Sequence, residues 1–208
     1  MLSDSQFQEI RNNPNAQKLA AAIIYAEHSK QGNDVLTDPA IYNKSFGYPY
    51  NKKELDLTQP HPDEVYCSGS ICSAAAGAFQ YMPGTWEGVH GKNAPMTIDN
   101  QLKALFTSIK GAGVDPTKPL TRETAARLAP IWASFPMMNG QSRYGQPVKS
   151  WSNIINVYNR FKPKKWNERT KDYLDKQYPS STEAKPKSLQ IKPSKPKPKR
   201  NRRGRLIN

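Results

Sequence analysis

The sequence predicts an α+β fold, and three observations carry that prediction. Helical periodicity is strong before residue 30 and disappears between residues 30 and 72. It then returns from Ser73 to about Phe161. In the middle section Gly, Pro, Asn, Asp and Tyr recur, as in Ser-Phe-Gly-Tyr-Pro-Tyr and Gln-Pro-His-Pro-Asp. Short strands and turns forming a small sheet fit that composition.

In order along the chain, Ser3 to Arg11 is a short amphipathic segment that leads through Asn-Asn-Pro-Asn, a helix-start signal, into the first long helix. That helix, Asn15 to Ser29, is alanine-rich and free of Gly and Pro. Leu19, Ala20, Ile23 and Ile24 form its apolar stripe, and Glu27 falls within the stripe, near the helix C-terminus. Partial burial and the macrodipole both favour the protonated carboxyl there, which is what a general acid requires. An acid at a fraying helix end, facing water, is the competing reading.

Cys67-Ser-Gly-Ser-Ile-Cys72 reads either as a tight loop closed by a disulfide or as a pair of buried thiols. From Ala75 to Trp86 the chain begins with small residues, and a helix lying close to a neighbour or ligand is expected. Asp99 to Lys110 carries Leu102, Leu105, Phe106 and Ile109 at helical spacing, with Gly-Ala-Gly at its end. Thr121-Arg-Glu-Thr starts a further helix with apolar positions Ala125, Leu128, Ile131 and Trp132, and Trp151 to Phe161 forms the last. Trp86 and Trp132, taken singly, are expected in the core.

Composition sets outer limits. The chain has 208 residues, a net charge of +14 and 36% hydrophobic residues, with a mean hydropathy of −0.81. From Ser180 onward ten Lys and Arg face one acid, Glu183, so this stretch supplies +9 and the rest is only mildly basic. Residues 1–178 are read as one catalytic domain and 179–208 as a basic, Lys/Pro/Arg-rich tail, disordered or polyproline-like. No signal peptide or membrane span is legible. Two cysteines and three scattered histidines give no metal-ligand spacing, so neither metal nor cofactor is expected. Nucleotide-binding glycine loops and the Gly-x-Ser-x-Gly elbow are also missing.

Three blocks, in order, resemble the bacteriophage lambda endolysin family, glycoside hydrolase family 104. They are Ile24-Tyr-Ala-Glu27-His-Ser; Ser73-Ala-Ala-Ala-Gly-Ala-Phe-Gln80 followed by Thr85-Trp86; and Ile131-Trp-Ala-Ser-Phe-Pro136 followed by Tyr144-Gly-Gln146. Gly47-Tyr48 and His61-Pro62 also fit, and the likeness spans about residues 15 to 162. It implies a lysozyme-like fold, with a mainly helical lobe and a small β-rich lobe around a glycan cleft. It implies a lytic transglycosylase that cleaves the MurNAc–GlcNAc β-1,4 bond of peptidoglycan to leave 1,6-anhydroMurNAc, in phage-type lysis or entry. Glu27 takes the catalytic position. Tyr48, Gln80, Tyr144 and Gln146 take substrate-contacting positions, and Ser73 and Phe79 shape the cleft. Pro49 stands where the lambda protein has an acid, and the loop Met137 to Arg143 is longer than its counterpart.

Two rivals follow. One is a hydrolytic lysozyme using a second acid, Asp34, Asp56 or Asp63. The other is a catalytically inactive virion or wall-binding protein with a nucleic-acid-binding tail. The expected partners are peptidoglycan glycan strands, with a tail attracted without sequence preference to anionic wall polymer, membrane surface or nucleic acid. The chain is expected to be a monomer, made in a bacterial cytoplasm and acting at the cell wall after holin-type release or delivery in a virion.

Overall fold

The computed structural model describes residues 2–48, 53–145 and 147–169. Gln146 and the basic tail 179–208 lie outside the described residues. The elements run α1 (Asp4–Asn12), α2 (Pro14–His28), α3 (Pro39–Tyr42), β1 (Tyr66–Ser68), β2 (Ile71–Ser73), α4 (Pro83–His90), α5 (Ile98–Gly111), α6 (Arg122–Leu128) and α7 (Trp151–Arg160).

Helix α2 is the axis of the core. Pro14 occupies its first turn, and the Asn13 side chain caps it by accepting from the backbone N–H groups of Asn15 and Ala16. Its small residues bring neighbours close, and Ala20, Ala22, Ile23 and Ile24 are fully or almost fully enclosed. Helix α7 packs along it, and α1 lies against both α2 and α5. Helix α1 buries Phe7 and Ile10, and α5 buries Leu102, Leu105, Phe106 and Ile109. Side-chain caps also start α1 (Ser3 with Gln6), α3 (Asp38), α5 (Thr97), α6 (Thr121 with Thr124) and α7 (Ser150), whereas α4 begins without one.

The β content is one antiparallel hairpin, with Tyr66 opposite Ser73 and Cys67 opposite Cys72. Gly69, at φ 61°, makes its turn. Cys67 and Cys72 are joined by a disulfide and exposed, so the buried-thiol alternative does not hold. Isolated bridges, Lys44 with Glu54 and Ser45 with Ala76, extend the non-helical lobe. The segment at Gly47 packs closely on this hairpin: a Cβ there would meet the Ser68 Cβ at 3.2 Å.

Two helical expectations need correction. The run Ala75 to Tyr81 is a tight turn closed by reciprocal backbone bonds between Ala76 and Tyr81, and the helix starts only at Pro83. Gly77 and Gln80 adopt positive φ, 81° and 50°, which a helix forbids. Helix α6 also stops at Leu128 rather than continuing through Trp132: Ala129 keeps helical angles, but Pro130 has no N–H to continue the hydrogen-bond ladder. Trp132 still reaches the core, 2% exposed, as does Trp86, 1% exposed. Among the described residues no helix is long and apolar enough to cross a membrane, and no cluster of His, Cys, Asp and Glu could hold a metal ion.

Candidate active site

A cleft of about 410 Å³ opens at the C-terminal end of α2. Its walls include Glu27, His28, Tyr48, Ser68, Gln80 and Ser134, with Lys149 at the same opening. The α2 stripe predicted from Leu19 to Ile24 is the buried core face, and one turn further on it delivers Glu27 to the cleft floor. Ser29, in the left-handed conformation at φ 54°, ends the helix there by donating its N–H to the Tyr25 carbonyl at 2.8 Å.

The Glu27 side chain is partly open to the cleft, yet its carboxyl is crowded by protein. Burial pushes its pKa from the ordinary 4.5 up to about 7, against a smaller opposing effect of the Ser134 hydroxyl, which donates a hydrogen bond to Oε1. A carboxyl so placed can both give and take a proton near neutral pH. Ser134 is itself buried, 9% exposed. It lies in the Trp-Ala-Ser-Phe-Pro block, but sequence reading left it out of the site. A serine in an apolar loop carries no signal of its own until a partner carboxyl is placed beside it.

His28 lowers its pKa to about 4, chiefly by burial, so it is neutral where Glu27 titrates. Its Nε2–H is shared between the carbonyls of Ala78 at 3.0 Å and Gly77 at 3.3 Å. These contacts tie the end of α2 to the turn that carries Gln80. Three other segments grip the same turn. The Gln101 side chain accepts from the Ala78 N–H at 2.8 Å, the Trp132 indole donates to the Phe79 carbonyl at 3.2 Å, and the Gly77 N–H donates to the Lys44 carbonyl at 2.7 Å. Gln80 holds its left-handed backbone within this frame, and its amide donates to the Gly77 carbonyl at 3.0 Å. Such conformations cost about 1–3 kcal/mol and persist where the surroundings over-determine them.

Tyr48, also in the cleft wall, is held by two contacts. The Lys44 ammonium lies 3.3 Å from its ring centroid, and its hydroxyl donates to Glu54 at 3.3 Å. The structure thus brings Glu27, Tyr48 and Gln80 together. It does not bring Ser73, Phe79 or Tyr144 to the walls. Phe79 is 1% exposed, its ring packed between Tyr42 and Tyr81, so its side chain cannot meet a ligand. Ser73 sits in β2 with its hydroxyl on the Met82 sulfur and the Ala75 N–H. Tyr144 is 58% exposed and its hydroxyl donates to the Pro130 carbonyl at 2.8 Å, just past the loop Met137 to Arg143. Gln146 lies outside the described residues.

Among the described residues Glu27 is the one carboxylic acid lining the cleft. The three acids considered as partners lie elsewhere. Asp56 is exposed and bonded to the N–H and hydroxyl of Thr58, Asp63 is exposed beside His61, and Asp34 is exposed.

The chain matches bacteriophage lambda lysozyme complexed with a chitohexasaccharide, at a TM-score of 0.57 and 19% identity, over 71% of this chain and 93% of that one. A second structure, lysozyme from bacteriophage lambda, matches at a TM-score of 0.52 and 19% identity, with the same coverage. No family model matches the sequence, and no curated protein matches it. The shared feature is the fold, which is α+β and lysozyme-like. More narrowly, it is the arrangement seen in the lambda lysozyme.

Proposed function

We propose that this protein is a peptidoglycan-cleaving glycosidase of the lytic transglycosylase type, with Glu27 as both acid and base. The observation that carries the reading is a single buried carboxyl, poised near pH 7, in a cleft whose described walls hold no second acid. Glycosidases that direct a water need two carboxyls, about 5 Å apart for retention or 6.5–9.5 Å for inversion. A transglycosylase needs one. The fold supports the glycan assignment, since the lambda lysozyme of the same architecture holds a chitohexasaccharide.

In the proposed reaction, protonated Glu27 donates to the glycosidic oxygen between MurNAc and GlcNAc, and the C1–O bond breaks. GlcNAc leaves with a free 4-hydroxyl. The muramoyl C6 hydroxyl then attacks C1 and returns its proton to the Glu27 carboxylate, closing the 1,6-anhydro ring without consuming water. Oxocarbenium-like charge at C1 is relieved by the substrate's own N-acetyl group. The Ser134 hydroxyl steadies the carboxylate between its two proton transfers. Tyr48 offers a ring face and Gln80 an amide, side chains suited to sugar rings and N-acetyl groups. Lysis or entry by a phage is the matching biological role, and the basic tail 179–208 supplies a nonspecific attraction to anionic polymers.

The test is loss of turbidity by purified cell walls. Wild-type protein should clear them, and Glu27→Gln should be slower by at least about a hundredfold, the lower end of the range for removing a general acid. Equal rates for the two proteins would refute the role of Glu27, and no clearing by either would favour the inactive wall-binding alternative.

A further inference from the structure

Lys149 is a cleft residue whose charge the reaction above does not use. Its Nζ donates to the Ser29 hydroxyl at 2.6 Å and stands 5.4 Å from the centroid of the Tyr25 ring. Its backbone N–H donates to the Ser134 carbonyl at 3.1 Å. Lys149 is therefore tied to two segments that hold Glu27: its side chain to Ser29, two residues beyond Glu27 in sequence, and its backbone to Ser134, the hydrogen-bond partner of Glu27. Among the described residues no carboxylate pairs with Lys149. Nor is it the counter-ion of Glu27, whose proton affinity is set by burial and by Ser134.

Lys149 is half-buried as a residue, and its ammonium carries three donors, one of which is taken by a neutral hydroxyl. The other donors suit an anion, and the substrate class carries one. Muramic acid carries a lactyl carboxylate in peptide-free strands, and in peptide-bearing strands the stem peptide carries carboxylates of its own. Chitin-type chains of N-acetylglucosamine carry none. We propose that Lys149 is a specificity-determining residue that binds a carboxylate pendant from the muramoyl unit, and so favours peptidoglycan over neutral β-1,4 glycans. This rests on the glycan-cleaving reading of the cleft.

The experiment measures binding by calorimetry in full-length protein carrying Glu27→Gln, which blocks turnover. The ligands are peptide-free glycan strands, peptide-bearing strands and chitohexaose. Adding Lys149→Gln should weaken binding of a carboxylate-bearing strand about tenfold more than binding of chitohexaose, with a smaller salt dependence. Lys149→Arg should keep most of that affinity. Response of the peptide-free strand assigns the lactyl carboxylate, and response confined to peptide-bearing strands assigns the peptide. An equal loss on every ligand bound, no loss, or a loss with Arg as large as with Gln would overturn the proposal while leaving the cleft a glycan site. Binding of none of the three ligands by the Glu27→Gln parent would overturn the glycan reading itself and this inference with it.

Discussion

The Ser134 hydroxyl donates its hydrogen bond to Oε1 of Glu27 across a separation of 107 residues, joining the end of α2 to the loop after Trp132. This bond favours the ionised carboxyl and opposes the larger effect of burial, so the two together set the proton affinity of Glu27 near 7. Removing the hydroxyl should let burial act unopposed. In Ser134→Ala the alkaline fall of kcat/KM, which reports loss of the Glu27 proton, should move to higher pH, and kcat should drop about tenfold as the carboxyl loses its orientation. A pH–rate profile checks both, and an alkaline limb moved to lower pH would contradict the assignment.

Glu27 and His28 are adjacent, and their effects on stability run in opposite directions with pH. Glu27 is raised from 4.5 to about 7, so the folded protein holds a proton that the unfolded chain has released. That contribution is complete below pH 4.5 and is lost as pH rises through 7. His28 is lowered from 6.5 to about 4; its contribution is complete above pH 6.5 and is lost as pH falls through 4. Each is on the order of 3 kcal/mol, and the two slopes offset one another between about pH 4.5 and 6.5. Urea unfolding across this window should show Glu27→Gln gaining stability with rising pH relative to wild type, and His28→Gln losing it. Parallel curves for all three proteins would contradict the shifts.

Gly77 is required at its position for two reasons. Its φ of 81° is left-handed, and a Cβ there would strike the Gln101 side-chain amide. Gln101 cannot move aside cheaply, because it is fully buried and bonds the Ala78 N–H, the Tyr42 carbonyl and the Met96 carbonyl. Gly77→Ala should cost about 2–4 kcal/mol, and Gln101→Leu a similar amount through the buried polar groups left unpaired. Thermal or urea unfolding measures this, and a loss under about 0.5 kcal/mol in either variant would contradict the described turn.

The disulfide-closed hairpin carries Ser68 to the cleft wall, and two short strands do not hold together unaided in water. Replacing both cysteines with serine should cost about 2 kcal/mol, the loop-closure entropy of so short a ring. Hydrogen exchange should locate that loss at residues 66–73. Unchanged exchange there would show that packing against the Gly47 segment suffices.

The legible part of this fold was the periodic part. Asn13 and Pro14 announced the start of α2, its apolar stripe placed Glu27, and Thr121 announced α6, because caps and stripes are local patterns. The turn from Ala75 to Tyr81 was not legible as a turn. Its small, apolar residues read as helix, while its shape is imposed by His28, Gln101 and Trp132, which arrive from far along the chain. Phe79 illustrates the same limit: its backbone helps shape the cleft's support, but its ring belongs to the core. Ser134 and Lys149 were missed because each gains its meaning from a partner more than a hundred residues away.

Whether Glu27 works alone is read most directly from the mass spectrum of muropeptides released from purified peptidoglycan. Wild-type protein should release products ending in 1,6-anhydroMurNAc, each one water lighter than the corresponding reducing end, and Glu27→Gln should release neither form. Release of reducing ends alone would contradict the account, because it would require a second group on the cleft wall to activate water.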